Sequence, residues 1–264
     1  MNKFEKYLRG AVNAWDFLID VPLPEPVRTR FGKKVDASTI LAGFPLVGAV
    51  AGVVLALVAL FCTAVFRPVA GCTIFAILAV AFLDLKDSGR GVALLTGWFL
   101  MRRNGISFPE ALPQLKGDWD RLNHPLASVF VSLLELGKAA LLFSLAFYGG
   151  KFWIYMILVG AFTVQGLLAM EPERGSGVPL LPVPPENRRY AWWAFGILSF
   201  FAFLYFPFGV VAAVCVVYFT ATGLAGYFER NFGGVSSDFI TLAGALTELL
   251  LLLVGVLSIS MFHP

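Results

Sequence analysis

Apolar positions in this chain form long unbroken runs instead of alternating with polar ones. The runs cover approximately residues 41–66, 69–83, 125–148, 152–170, 190–206, 209–227 and 239–262. Segments of this kind suit helices that cross about 30 Å of hydrocarbon. Residues 92–101 are apolar but too short to cross, and read as a re-entrant or interfacial helix. Ahead of the first run, Phe4, Tyr7, Leu8, Ala11, Trp15, Leu18 and Ile19 recur at helical spacing, with Lys3, Lys6 and Arg9 off that stripe. The spacing predicts an amphipathic helix on the membrane surface, ended by the prolines of 22–26. The expected fold is therefore all-α: a polytopic transmembrane helix bundle of about seven spans with an N-terminal amphipathic surface helix. Residues 1–38 would form the amphipathic and basic segment, and 39–264 a single transmembrane domain.

Composition strengthens this picture. Of 264 residues, 58% are hydrophobic and 14% charged, and the mean hydropathy is +0.79. Soluble domains average about 45–50% apolar and about 25% charged, so this chain has more apolar surface than a water-soluble fold of its length can bury. A disordered chain and a coiled coil are excluded on the same grounds. The net charge of +3 is too small to call for a nucleic acid. No short apolar core with a small-residue cleavage site opens the chain, so the first span is expected in the mature protein. Cys62, Cys72 and Cys215 all sit in apolar runs and read as small buried hydrophobes.

Charge placement sets the expected orientation. Lysines and arginines gather at 3–34, 86–121, 174–189 and 230, whereas the alternate connections carry only Arg67 and Lys151. The positive-inside rule then places the long connections and the N-terminus in the cytoplasm, in an inner (cytoplasmic) membrane. Of seventeen acids, only Glu135 and Glu248 fall inside expected spans. Polar chemistry confined to one leaflet suits a one-sided enzyme better than a channel, which needs polar groups along its whole path.

Two clusters could carry that chemistry. Asp84 and Asp87, three apart at the end of the second span, would share a helix face and could share a Mg²⁺, with Arg90 beside them for a phosphate. The same residues also make sense as solvated caps of a span end. Gly233, Gly234, Ser236, Ser237 and Asp238 precede the last span. There they could admit a phosphate at a helix N-terminus, or simply cap the helix. Glu248, deep in the last span, is a functional candidate or a packed, protonated side chain. Glu135 and Lys138 are placed to pair with each other. Glu171, Glu173 and Arg174 lie at another span end, and Asp118 to Arg121 read as a loop.

Several of these pieces together resemble the adenosylcobinamide-GDP ribazoletransferase (cobalamin-5′-phosphate synthase) family. Phe17 to Pro24 is similar to that family's opening stretch, and Gly43-Phe44-Pro45-Leu46-Val47-Gly48 to its first-span motif. Leu83-Asp84 stands where the family has H-L-D-G-L-A-D, although here the acids read D-L-K-D. Gly233 to Asp238 resembles its G-G-x-T-G-D, and Glu248 falls on a glutamate of its final span. The resemblance implies a Mg²⁺-dependent transfer in late cobalamin biosynthesis, in which α-ribazole or its phosphate joins adenosylcobinamide-GDP and GMP leaves. On that pattern Asp84, Asp87 and Asp238 would hold metal, with Glu248 also catalytic. Gly233, Gly234, Ser236, Ser237, Arg90 and Arg174 would meet phosphate. The partners implied are the corrinoid nucleotide, α-ribazole phosphate and the bilayer, with a homo-oligomer left open. The other reading is a divergent paralogue of the same fold, non-catalytic or acting on something else.

Overall fold

The structure is a computed structural model that describes residues 3–19, 21–32, 35–86, 90–103 and 125–262. Side chains are described over the same ranges except at 3–4, 98–103, 125–128 and 261–262. Ten α-helices follow one another among the described residues. They are α1 (Lys3–Leu18), α2 (Glu25–Phe31), α3 (Ala37–Val65), α4 (Pro68–Leu85), α5 (Arg90–Arg103), α6 (Pro125–Phe147), α7 (Trp153–Leu168), α8 (Arg189–Phe203), α9 (Pro207–Phe232) and α10 (Ser237–Phe262). The described residues contain no β-strand, only isolated bridges.

Five helices are long and apolar enough to cross a membrane: α3, α4, α6 from Val129, α9, and α10 to Ser260. The sequence pattern led to an expectation of about seven. The difference lies in α7 and α8, with 16 and 15 residues. The tight turn at 149–152 and the irregular segment from Ala169 to Pro184 take residues that the apolar runs would have assigned to helix. Helix α9 instead runs on to Phe232, because Glu229, Arg230 and Asn231 continue it into its Gly233 cap.

The outer helices show two faces. On α3 the residues Val50, Val53, Val54, Leu57, Phe61 and Val65 are exposed, with Leu57 at 58%. Their three-to-four spacing makes one apolar stripe, and water would not tolerate so large an apolar surface on a monomer. Cys215 belongs to such a face on α9 and is exposed, unlike the buried Cys62 and Cys72; the expectation that all three are buried fails there. Phe152 stacks on Tyr205 with ring centroids 5.5 Å apart, Phe208 lines a cavity with Tyr205, and Tyr148 is exposed in the turn before Phe152. Aromatic rings at that level suit an interface with lipid head groups.

Helix α7 is the hub. Every residue from Trp153 to Leu168 is at most partly exposed and nearly all are buried. It runs antiparallel along α3: a Cβ on Gly52 would meet Tyr155 Cα at 2.7 Å, and one on Gly48 would meet Leu158 O at 2.5 Å. Further along, Gly166 lies against the Phe44 ring. The Trp153 indole donates to Leu251 O at 2.8 Å, which ties the start of α7 to α10.

Helix α1 also uses small residues. Gly10, Ala14 and Leu18, four apart, are buried against α3, and a Cβ on Gly43 would lie 2.6 Å from Gly10 O. The expected apolar stripe is only partly the buried face, since Tyr7 stays 48% exposed. Backbone approach selects Gly and Ala here, and a hydropathy pattern does not register that preference.

Candidate functional site

Four helices meet at a narrow crevice lined by Asp84 of α4, Val92 and Leu95 of α5, Lys138 of α6, and Ala245 and Glu248 of α10. It has about 10 Å³ of free space, room for about one water molecule. Its walls are Leu83, Leu134 and Leu249, so the charges stand in an apolar surround.

The charges are paired across helices. Lys86 Nζ lies 2.9 Å from Glu248 Oε1, with both side chains almost fully buried, at 2% and 3% exposure. Lys138 Nζ lies 3.0 Å from Asp84 Oδ1 and 3.0 Å from Glu135 Oε1. The expected Glu135–Lys138 pairing is therefore present, and Asp84 joins it from α4. Asp84, Lys138 and Glu248 thus line the crevice, and Lys86 and Glu135 pair with them, each ammonium within hydrogen-bonding distance of a carboxylate. Burying any of them alone would cost several kcal/mol, so their pairing is what makes the cluster tenable.

Why these residues converge is legible locally. Helix α4 begins at Pro68, where a missing N–H is harmless, and ends at Leu85, leaving Lys86 to reach α10. Helix α5 packs along α10, and its first residue, Arg90, donates to Asp238 Oδ1 at 2.9 Å. Asp238 lies ten residues before Glu248, so it stands about 15 Å nearer the helix start, given 1.5 Å per residue. The site therefore has two levels: an outer Arg90–Asp238 pair and the inner acid–lysine cluster.

The Gly-Gly turn is held by backbone. Gly233 takes a left-handed φ of 68° as the cap of α9, its N–H bonding Glu229 O at 3.0 Å. Gly234 has a φ of 140°, and its N–H reaches Phe228 O at 3.4 Å. A Cβ on Gly234 would sit 2.6 Å from Pro172 O. Val235 then pairs with Pro172 and Arg174 through two backbone hydrogen bonds, at 2.8 and 3.0 Å. Ser236 accepts from Phe239 N at 3.3 Å and starts α10. These amides serve the helix cap and the loop contact. Ser237 follows in the first turn of α10. Arg174 is exposed, and its amide, not its guanidinium, anchors the turn. Glu171 pairs with Arg188, away from the crevice.

Asp87 and the 118–121 segment lie outside the described residues. The magnesium expectation can be tested on the others. Mg²⁺ requires oxygen ligands at about 2.0–2.1 Å. Asp84 and Asp238 stand at different levels, each engaged by a cation, and among the described residues no group of three or more His, Cys, Asp or Glu side chains is placed to hold a metal ion. These residues do not by themselves fit the ion.

Sequence reasoning did not single out Lys86 as a functional residue. Its signal was available: a lysine between two acids at the end of an apolar run, with an acid deep in another span. No family model, curated protein or solved structure matches the chain.

Proposed function

We propose that the chain is a membrane-embedded transferase of the ribazoletransferase type, acting on a nucleotide-activated substrate at the charged end of the bundle. One observation carries this reading: Asp84 and Glu248, two of the four acids that the resemblance selects and 164 residues apart in the chain, line the same crevice. The expected topology belongs to the same proposal. Helices α7 and α8 would complete seven crossings, α1 would lie at the membrane surface, and the charged end would face the cytoplasm.

The chain's own groups supply acid–base and electrostatic chemistry. The ribose 3′-hydroxyl oxygen of the acceptor attacks the cobinamide-linked phosphorus, its proton passing to Asp84, the crevice carboxylate that keeps a third of its side chain exposed. The bond from that phosphorus to the GMP oxygen breaks and GMP leaves. Arg90 and Lys138 neutralise charge on the transferring and departing phosphates, an effect that grows in a water-poor site. The crevice admits only a water-sized group, so a substrate would present its reacting atoms from the Arg90–Asp238 side and keep its bulk outside. No step is assigned to a metal.

The test is direct. Membranes holding the protein, supplied with adenosylcobinamide-GDP, α-ribazole phosphate and magnesium, should release GMP, and Asp84→Asn should reduce the rate at least a hundredfold, the lower range for losing a general base. Absence of GMP, with an active ribazoletransferase as control, would overturn the activity. A second reading is favoured by the complete pairing of the acids with cations: a paralogue that keeps the bundle without the reaction. It expects binding of the corrinoid nucleotide with no GMP.

A further inference from the structure

A separate cavity of about 530 Å³ opens where α1, the start of α3 and the start of α8 meet. It shares no residue with the acid–lysine crevice. Its polar lining includes Lys6, Tyr7, Asp36, Ser38, Asn187 and Tyr190. The volume falls in the range of sites that hold small molecules. Its level is that of helix ends, where water gives way to apolar helix surface.

The lining is charged in both senses. Lys6 Nζ lies 2.8 Å from Asp36 Oδ2, and Asn187 Nδ2 donates to Ser38 Oγ at 2.8 Å. An anion reaches Lys6 only in place of Asp36 and a cation reaches Asp36 only in place of Lys6; with 42% and 72% of the two side chains exposed, water takes up whichever is released. A ligand carrying both charges can exchange one ion pair for two. Tyr7 and Tyr190 are both exposed at the mouth; the Arg189 guanidinium lies over one face of Tyr190, 5.7 Å from its centroid, and the Tyr7 ring and the other face of Tyr190 can accept a quaternary or primary ammonium.

What lies further along is apolar. Helices α3 and α8 run side by side from this end. Eleven residues on from Ala42, Val53 begins a crevice of about 370 Å³ with Ala56, Leu57 and Leu60. Eleven residues on from Tyr190, Phe201 forms its opposite wall with Ala202. Steps of 11, 14 and 18 residues keep Ala42, Val53, Ala56 and Leu60 within about 40° of one line on α3, and Val53 about 16 Å from Ala42. That is about half of the ~30 Å hydrocarbon thickness, the reach of one leaflet.

We propose that this cavity seats one zwitterionic phospholipid: its phosphate on Lys6, its ammonium on Asp36 between the two tyrosines, and an acyl chain along the α3–α8 seam to the Val53 edge. The occupant follows from charge balance and from the apolar seam below, independently of any catalytic activity.

The delipidated, detergent-purified protein can be titrated with phosphatidylethanolamine or phosphatidylglycerol of the same chain length, with bound lipid counted by native mass spectrometry. One phosphatidylethanolamine should bind at least tenfold more tightly than phosphatidylglycerol. Asp36→Asn should erase that preference, and Val53→Trp should weaken the long-chain lipid while leaving the preference for its head group. Tyr190→Ser, which leaves the Lys6–Asp36 tie alone, should weaken phosphatidylethanolamine severalfold and serves if Asp36→Asn fails to fold. Equal or tighter phosphatidylglycerol binding overturns the proposal. So does phosphatidylethanolamine binding unchanged in Tyr190→Ser, or inorganic phosphate competing as strongly as the lipid.

Discussion

Replacing Lys86 by Met tests the energetic reading of the crevice. Lys86 and Glu248 face each other at 2.9 Å with 2% and 3% of their side chains exposed. Removing one partner of so buried a pair deprives the carboxylate of its near cation, which costs about 3–5 kcal/mol. At 1.4 kcal/mol per decade, that is a folding constant lowered by about two to three and a half orders of magnitude. Glu248→Met should cost a similar amount by depriving Lys86 of its near acid. Replacing both, Lys86→Met with Glu248→Met, removes the two desolvation penalties together and should fall within about 2 kcal/mol of the parent, or stabilise it. Equilibrium unfolding in mixed micelles, followed by the burial of the α7 tryptophan, gives all four corners of the cycle. Two single variants each within about 1 kcal/mol of the parent, or a double variant costing their sum, would refute the pairing.

Other outcomes follow from different parts of the molecule. Gly48→Ala should cost about 1–3 kcal/mol and lower the melting temperature, because its Cβ would press on the Leu158 carbonyl and the backbones cannot part without opening α3 from α7. Gly234→Ala should damage the turn before α10 by a comparable amount. Its φ of 140° and its contact with Pro172 both oppose a side chain, and loss of the Arg90–Asp238 cross-link can be read by cysteine pairing across α5 and α10. Trp153→Phe should cost about 1–2 kcal/mol for the buried indole hydrogen bond to Leu251, measured by the same unfolding titration. The Asp36 carboxylate holds the Lys6 ammonium above its usual pKa. That contribution is present below about pH 10.4 and fades as pH rises beyond it. The melting difference between the parent and Lys6→Gln should therefore stay constant from about pH 6 to 9 and shrink only in stronger alkali.

The helices were largely legible because apolar runs and proline breaks dictate them. Arg67-Pro68 separates α3 from α4, and the runs after Pro207 and Ser236 begin α9 and α10 close to the expected places. The number long enough to span was less legible. A run such as 152–170 is apolar because it is buried in protein, and burial in protein and in lipid leave the same mark on hydropathy. Glu135 with Lys138 was readable from a three-residue spacing within one helix. Lys86 with Glu248 was not, because 162 residues separate the partners and no local pattern encodes which helix faces which. The turn at Gly233 and Gly234 was read for its permissive backbone, correctly as to conformation. Its use depended on the Pro172–Arg174 segment, whose docking is a tertiary fact.

The enclosure of α7 has a consequence for biogenesis. Of the neighbours that surround this helix, α8, α9 and α10 are all synthesised after it. On the proposed seven-crossing topology, the nascent segment would rest against acyl chains until the last of them emerges, on surfaces that end up against protein. Its composition, with Thr163 and Gln165 as the only strongly polar side chains from Trp153 to Leu168, makes that wait inexpensive. The final step of assembly is then an exchange of lipid for α10. A ribosome-stalled chain ending before Ser237 should expose α7 to lipid-soluble crosslinkers that the finished protein excludes.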